Sequence, residues 1–473
     1  MVKGLELSIR RCEMKKLTAL LLAGVMIFSL GACQGEESQG KNQQGTADTQ
    51  ADKGLEVMGD NVKYDPNHLV NDGEPISIDW WVWASEDMFR GIADMYEEIH
   101  PNVIINIINN PWDGFFTKLP LSLQKGEEGP TLFNVHNSYE NLILNYMAPF
   151  DIDTDELIAD YPSAASHVKD GNIYYADYGL STGMVYYNKE IWEEEGLTEE
   201  DIPTTWDEFI QVAQKLTKFD ENGKMVRAGF NYNQYFNAMA LGLNYQFGAN
   251  LFNAEGTKAQ VDGEGMKEAV TLLIDLYEKY HVGDKDFGTN CEQSFYQGQS
   301  AMTFVWGHFV NNLKINYPDL EYGNFEIPIP SEETPYAYYR YNGEATPAIN
   351  KNASQEQMEV AQDFMRFYFA NDEVQVTLCK EGGLIPAKSV LMEDPELKDT
   401  PIVKTVGPHI DRYIWPGAMP STLETNMKIA GEDILYNGKS MDKALKNAND
   451  IINVDLANAD FTASENLYKY YQE

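Results

Sequence analysis

A strand, a helix and a second strand follow one another within residues 76–108, and this unit constrains the fold more than any other stretch. Ile76, Ser77, Ile78, Asp79, Trp80, Trp81, Val82 and Trp83 form a β-favouring run, alternating at first and then continuously apolar. Residues 86–100 have the apolar spacing of a helix, and residues 103–108 form a second β run. Such a unit almost always crosses over right-handed between parallel strands, so the fold opens with a parallel α/β sheet. Helices at 115–124 and 139–146 and a third strand at 131–135 extend it.

Residues 174–217 are the next informative stretch. Alternating apolar and aromatic residues run into a small-residue break, Gly179-Leu180-Ser181-Thr182-Gly183, and a second β-rich run occupies 184–187. Asn188 stands where a helix N-cap belongs and Gly196 where the helix should stop. Thr205 and Glu208, three residues apart, form a capping box for a further helix whose apolar face carries Phe209, Ile210, Val212, Ala213 and Leu216. The reading is strand, turn, strand and two helices, with the chain changing neighbourhood at the glycines. Beyond it, strands are expected at 226–230, 324–329 and 345–349, and helices at 233–247, 265–280 and 354–369. Residues 295–306 read as a short helix, a glycine stop and a strand, and the chain from 423 onward as mostly helical. A chain of 473 residues is long enough for two sizeable cores.

The leader is distinctive. Met14-Lys15-Lys16 is a basic start, about 14 uncharged apolar residues follow, and Leu30-Gly31-Ala32-Cys33 closes the run with small residues before a cysteine. The run is short for a membrane span and suits a signal peptide over residues 1–32, with Met14 as the better start. Residues 33–74 are polar and nearly free of aromatics, and read as a flexible tether. Cys12 and Cys33 lie in the leader region; Cys291 and Cys379 could pair in a disulfide outside the cell, with two buried free thiols as the other reading.

A formal charge of −39 argues against nucleic-acid binding, which needs an excess of Lys and Arg. Catalytic and metal motifs fare no better. Gly179 to Gly183 match G-x-S-x-G, but a nucleophile elbow needs a helix after the serine, and Met184-Val185-Tyr186-Tyr187 favour β structure. Asp151, Asp153 and Asp155 begin like a calcium loop, yet Glu156 stands where glycine belongs and Pro162 where the last glutamate belongs. The seven histidines lack metal-ligand spacing, and no cofactor fingerprint is present. Instead, aromatic and amide or acidic residues gather at expected strand ends. Trp83 and Glu86 follow the first strand, Trp112 and Asp113 the second, and His136 and Asn137 the third. Ligands of open α/β sheets collect at such ends, where aromatic faces suit sugar rings and polar groups suit hydroxyls. Tyr235 and Tyr341 complete the candidate set. Any one of these aromatics would equally fit core packing.

Several segments fall in the order found in one family. They are Tyr187-Asn188-Lys189, Pro203-Thr204-Thr205-Trp206-Asp207-Glu208-Phe209, Phe295-Tyr296-Gln297-Gly298-Gln299-Ser300-Ala301-Met302 with Trp306, residues 350–369, and Gly383-Leu384-Ile385-Pro386. In these the chain resembles the extracellular solute-binding proteins of ABC importers, in the sugar-binding group like maltose-binding protein. The leader's end likewise resembles a bacterial lipobox, in which Cys33 would be diacylated and anchored to the membrane.

The resemblance implies a two-lobed, type II periplasmic-binding-protein-like α/β fold, each lobe a mixed sheet flanked by helices, joined by hinge strands. One lobe would comprise 75–180 and 349–398, the other 181–348 and 399–473, with hinge positions at Gly179, Gly183, Ala345 and Ile349. It also implies a carbohydrate ligand facing Trp306 and Trp415, ABC permease subunits as partners, a monomer at the outer face of the cytoplasmic membrane, and neither catalysis nor a cofactor. The aromatic run at 336–344 departs from the family pattern. Two alternatives stay open on sequence: a secreted enzyme, either a hydrolase acting through Ser181 or a carboxylate-pair glycosidase, and a binding protein coupled to a sensor kinase.

Overall fold

The computed structural model describes residues 55–331, 337–420, 422–458 and 462–465. The expected signal peptide, Cys33 and the first part of the tether lie outside them. Residues 55–74 are packed rather than free, which corrects the expected tether. Val62, Tyr64 and Val70 are buried, and the backbone amides of Asn61 and Val62 donate to the Asp160 carboxylate, the latter at 2.8 Å. Three large apolar side chains within this polar stretch suffice to hold it down as an arm on the first sheet.

Two sheets organise the chain. The first has five strands in the order β2 (Val103–Asn109), β1 (Ile76–Val82), β3 (Leu132–Asn134), β13 (Pro347–Asn350) and β4 (Met147–Ala148). β1 pairs in parallel with both β2 and β3, as the strand–helix–strand pattern requires. β13 returns from far along the chain to lie antiparallel between β3 and β4. Trp80 at the centre of β1 is wholly buried and donates its Nε1 proton to Asn134 Oδ1 at 2.8 Å. A hairpin of β5 (Val168–Lys169) and β6 (Asn172–Ile173) precedes the second sheet.

The second sheet is built on β7 (Asp177–Asn188), twelve residues long and buried throughout. Its first half pairs with β12 (Tyr339–Ala345) and β14 (Ile385–Pro386), its second half with β10 (Ser300–Trp306) and β11 (Tyr322–Phe325). β8 (Lys218–Phe219), β9 (Met225–Asn231) and β15 (Tyr413–Ile414) complete the sheet. The expected break at 179–183 is therefore absent. The two glycines serve packing instead. A Cβ on Gly179 would meet Leu384 at 2.7 Å, and one on Gly183 would overlap the Phe304 ring.

The chain passes between the sheets just before β7 and again between β12 and β13. There Thr346 N donates to Ala176 O at 2.7 Å, and Ala176 N donates to Thr346 Oγ1 at 3.2 Å. These two crossings thus lie at 176 and 346, and a third returns the chain to the second sheet at β14; Gly179 and Gly183 belong to the second sheet and Ile349 to the first. Ala345 closes β12 opposite Asp177, across a register shift.

Local capping matches the sequence reading closely. Asn188 Oδ1 accepts from Ile191 N, Gly196 is left-handed at φ 66°, and the Thr205–Glu208 capping box is formed. Asp153 caps the helix Thr154–Asp160, which accounts for the aspartates that began like a calcium loop. Cys291 and Cys379 are free and buried, and burial raises both thiols, Cys291 to about 12.

Candidate functional site

The antiparallel pair of β7 and β12 has two faces, and strand alternation decides which residues line the cavity on each. Asn342 lies opposite Ser181, Tyr341 opposite Thr182 and Glu344 opposite Gly179. Ser181, Arg340, Asn342 and Glu344 line a cavity of about 400 Å³ on one face. Leu180 and Tyr341 line a separate cavity of about 520 Å³ on the other, with Ile385, Pro386 and Tyr413. Tyr341 is therefore turned away from its expected place by one step of the β period.

The rest of the 400 Å³ cavity is contributed from four further places. β10 ends in Trp306, followed by His308. Gln234, held at φ 69°, and Tyr235 lead into the helix Phe236–Gln246, whose Asn237 also reaches the wall. Glu424 and Lys428 lie one turn apart on the helix Thr422–Leu435. Opposite them, from the end of β3, comes His136.

Arg340 dominates the electrostatics. Its side chain is 1% exposed, its guanidinium lies 5.2 Å over the Trp306 ring, and its nearest carboxylate is Glu424 at 3.9 Å. Nη1 donates to Asn342 Oδ1 at 3.4 Å, while Nε has no hydrogen-bond partner among the described residues. Burial lowers the His136 pKa, Glu424 opposes that shift and Arg340 adds to it, so the first-lobe imidazole faces the second-lobe charges. Burial likewise lowers His308. Burial, with Asp177 beside it, pushes Glu344 up to about 7.

The first lobe presents aromatic rings around His136. Trp112 lies 5.1 Å and Trp83 6.4 Å from its imidazole, and the two indoles are 5.4 Å apart, edge to face. Trp83 also packs on Phe115 at 5.3 Å, so part of its surface serves the core. Trp112 is 41% exposed, which leaves an indole available to a ligand.

Of the expected contacts, His136, Tyr235 and Trp306 line the cavity, and Trp83 and Trp112 surround His136. Tyr235 is oriented by donating to Glu292 at 2.6 Å. Asn137 is buried behind the wall, and its Nδ2 has no hydrogen-bond partner among the described residues. Glu86 is exposed in the first turn of the helix Glu86–Ile99, away from the cavity. The Asp113 side chain lies outside the described residues. Trp415 is 2% exposed against His167, at 4.6 Å between rings, and not on the cavity wall. Sequence reasoning missed Arg340, Asn342, Glu344, Glu424 and Lys428. The first three were signalled by polar residues at every second position of Tyr339-Arg340-Tyr341-Asn342-Gly343-Glu344, a half-polar strand.

The cavity is equipped to bind. Planar polar groups offer donors and acceptors in fixed directions, and Trp306 and Tyr235 offer ring faces. Ser181 stands in mid-strand with no hydrogen bond from its hydroxyl to a base among the described residues. The strained turn that a nucleophile elbow needs is absent at this position.

Two α/β sheets, with the chain crossing between them and a polar and aromatic cavity lined from both, make a fold suited to binding a ligand. The chain belongs to the bacterial extracellular solute-binding proteins, whose family model matches residues 91–405. It is 23% identical over 342 residues to the arabinooligosaccharide-binding protein of Halalkalibacterium halodurans, covering 68% of this chain and 73% of that one. It is 24% identical over 392 residues to the diacetylchitobiose binding protein DasA of Streptomyces coelicolor, covering 80% and 83%. The fold superposes on the GacH receptor of Streptomyces glaucescens with a TM-score of 0.67, 19% identity, and 81% and 99% of the two chains covered.

Proposed function

We propose that this chain is the lipid-anchored substrate-binding component of an ABC importer and that it captures a carbohydrate, an oligosaccharide in preference to a single sugar. The observation that carries the reading is the cleft itself, with Trp306, Arg340 and Glu424 facing His136, Trp112 and Trp83. Aromatic faces stack on the apolar faces of pyranose rings, while guanidinium, carboxylate and amide groups pair with hydroxyls. The relatives named for arabinooligosaccharide and diacetylchitobiose support an oligosaccharide.

The lobes would be residues 75–176 with 347–398, and 177–345 with 399–473, with Ala176, Thr346 and the short strand β14, which pairs with β7, at the hinge. Ligand touching both walls favours the closed state and shifts the hinge equilibrium by its affinity difference between the states. The closed, loaded form is what the permease subunits would recognise. Two acyl chains on Cys33 would hold the monomer at the outer face of the cytoplasmic membrane.

Titration calorimetry with a panel of arabino-, chito-, xylo- and malto-oligosaccharides and their monosaccharides tests the reading. Micromolar or tighter binding of one oligosaccharide is expected. Binding of peptides or polyamines and of no sugar would overturn it.

A further inference from the structure

Away from the cleft, three side chains from separate elements converge on the outer side of the first lobe. His68 comes from the N-terminal arm, His100 from the C-cap of the helix Glu86–Ile99, and Asp363 from the helix Gln355–Ala370. One imidazole nitrogen from each histidine and one carboxylate oxygen lie within 4.8 Å of one another. His68 Nε2 is 2.6 Å from Asp363 Oδ1, and His100 Nε2 is 3.9 Å from Asp363 Oδ2. Tetrahedral zinc, with bonds of about 2.0–2.2 Å, sets its ligand atoms about 3.3 Å apart, so modest side-chain rotation would bring all three into a shell.

The hydrogen bonds around the cluster fix its orientation. His68 Nδ1 meets the carbonyl oxygen of Asp65, which can only accept, so Nδ1 carries a proton. His68 Nε2 stands at hydrogen-bond distance, 2.6 Å, from the Asp363 carboxylate, so a metal ion would take the place of the proton that bridges them. A proton there would satisfy His68 alone, whereas a metal ion also uses the nearby His100. Asp363 is in turn held by the hydroxyl of Tyr96, which donates to Oδ2 at 2.7 Å, while the Tyr64 hydroxyl lies between Oδ2, at 3.1 Å, and His100 Nε2, and would donate to the carboxylate when a metal ion takes the Nε2 lone pair. A backbone carbonyl behind the imidazole and hydroxyls behind the carboxylate are the supports that metal ligands receive.

We propose that His68, His100 and Asp363 form a zinc site that clamps the N-terminal arm onto the first lobe. Two imidazoles and one carboxylate select a borderline transition ion such as zinc over calcium or magnesium, which prefer all-oxygen shells. A fourth position can be filled by water, because His68 and Asp363 border an open cavity of about 470 Å³. The clamp would fix the point where the tether leaves the lobe. Its ligands are as much as 295 residues apart in the chain, a spacing no sequence motif captures.

The test uses the untagged mature chain, stripped with chelator and titrated with zinc chloride in millimolar magnesium and calcium, which occupy the acidic surface. One equivalent of zinc should bind and raise the melting temperature. His68→Ala, a substitution at a half-exposed arm position that leaves the fold intact by circular dichroism, should weaken binding at least tenfold and abolish the thermal shift. His68→Cys, which restores a zinc ligand, should recover both. Equal zinc affinity in the wild type and His68→Ala, or no stoichiometric zinc binding, would overturn the proposal.

Discussion

Arg340 and Trp306, 34 positions apart on neighbouring walls, stack with the guanidinium 5.2 Å above the indole ring. The stack holds a buried cation at the cleft with a single distant carboxylate, Glu424, and a free Nε proton. A desolvated guanidinium of this kind is stabilised by the ring and gains hydrogen bonds when ligand hydroxyls arrive. Replacing Arg340 with Ala is therefore expected to weaken ligand binding by about 10- to 100-fold, equivalent to about 1.4–2.8 kcal/mol. Trp306→Ala should cost at least as much, and bound ligand should no longer quench tryptophan fluorescence to the same extent. Both are read by calorimetry and fluorescence titration.

The two faces of β12 give a sharper comparison. Asn342 faces the cleft and Tyr341 faces away. Asn342→Ala should weaken binding by about 1–2 kcal/mol, the scale of hydrogen bonds lost from a desolvated site. Tyr341→Phe should leave the dissociation constant unchanged within twofold. The reverse ranking would mean that the ligand occupies the other cavity.

Glu344 links the cleft to pH. Its carboxyl is raised from 4.5 to about 7 by burial, then by Asp177. The folded state therefore binds more protons than the unfolded chain between those values, and stability falls as pH rises through that window. Below about 4.5 the penalty is absent, and above about 7 it is complete. Glu465, raised to about 7 by burial, acts in the same direction. Glu344→Gln should remove part of the decline in unfolding free energy between pH 5 and 8, on the order of 1–3 kcal/mol, read by denaturant unfolding at several pH values. An unchanged pH profile in this variant would show that Glu344 ionises normally in the folded protein.

Gly183 distinguishes packing from hinge freedom. A Cβ there would overlap the rigid Phe304 ring, so Gly183→Ala should destabilise the fold by about 1–3 kcal/mol, the usual cost of overpacking. Its ligand affinity should match the wild type, because the crossings lie at Ala176, Thr346 and β14. A large change in affinity with unchanged melting temperature would restore the glycine to the hinge.

Local signals carried far. The right-handed strand–helix–strand start, the cap at Asn188, the box at Thr205 and Glu208, and the stop at Gly196 are short-range chemistry, and each stands where its residues predict. His136, expected at a strand end, and Trp306, expected from the family resemblance, both stand on the cavity wall, as does Tyr235. Tyr341 and Trp415 do not, and aromatic character says nothing about which face of a strand, or which side of a wall, the ring will occupy.

The sequence by itself determined the class of fold, most element boundaries and the family, because these follow from periodicity, capping and motif order along the chain. The tertiary structure decided the rest. It made 177–188 one strand, because four partner strands from distant parts of the chain pair along its length and Leu384 and Phe304 fill the space beside its glycines. It moved the crossings to Ala176 and Thr346, brought Arg340 over Trp306, and gathered His68, His100 and Asp363. Each of these depends on the register between segments remote in sequence, and only the packed fold specifies that register.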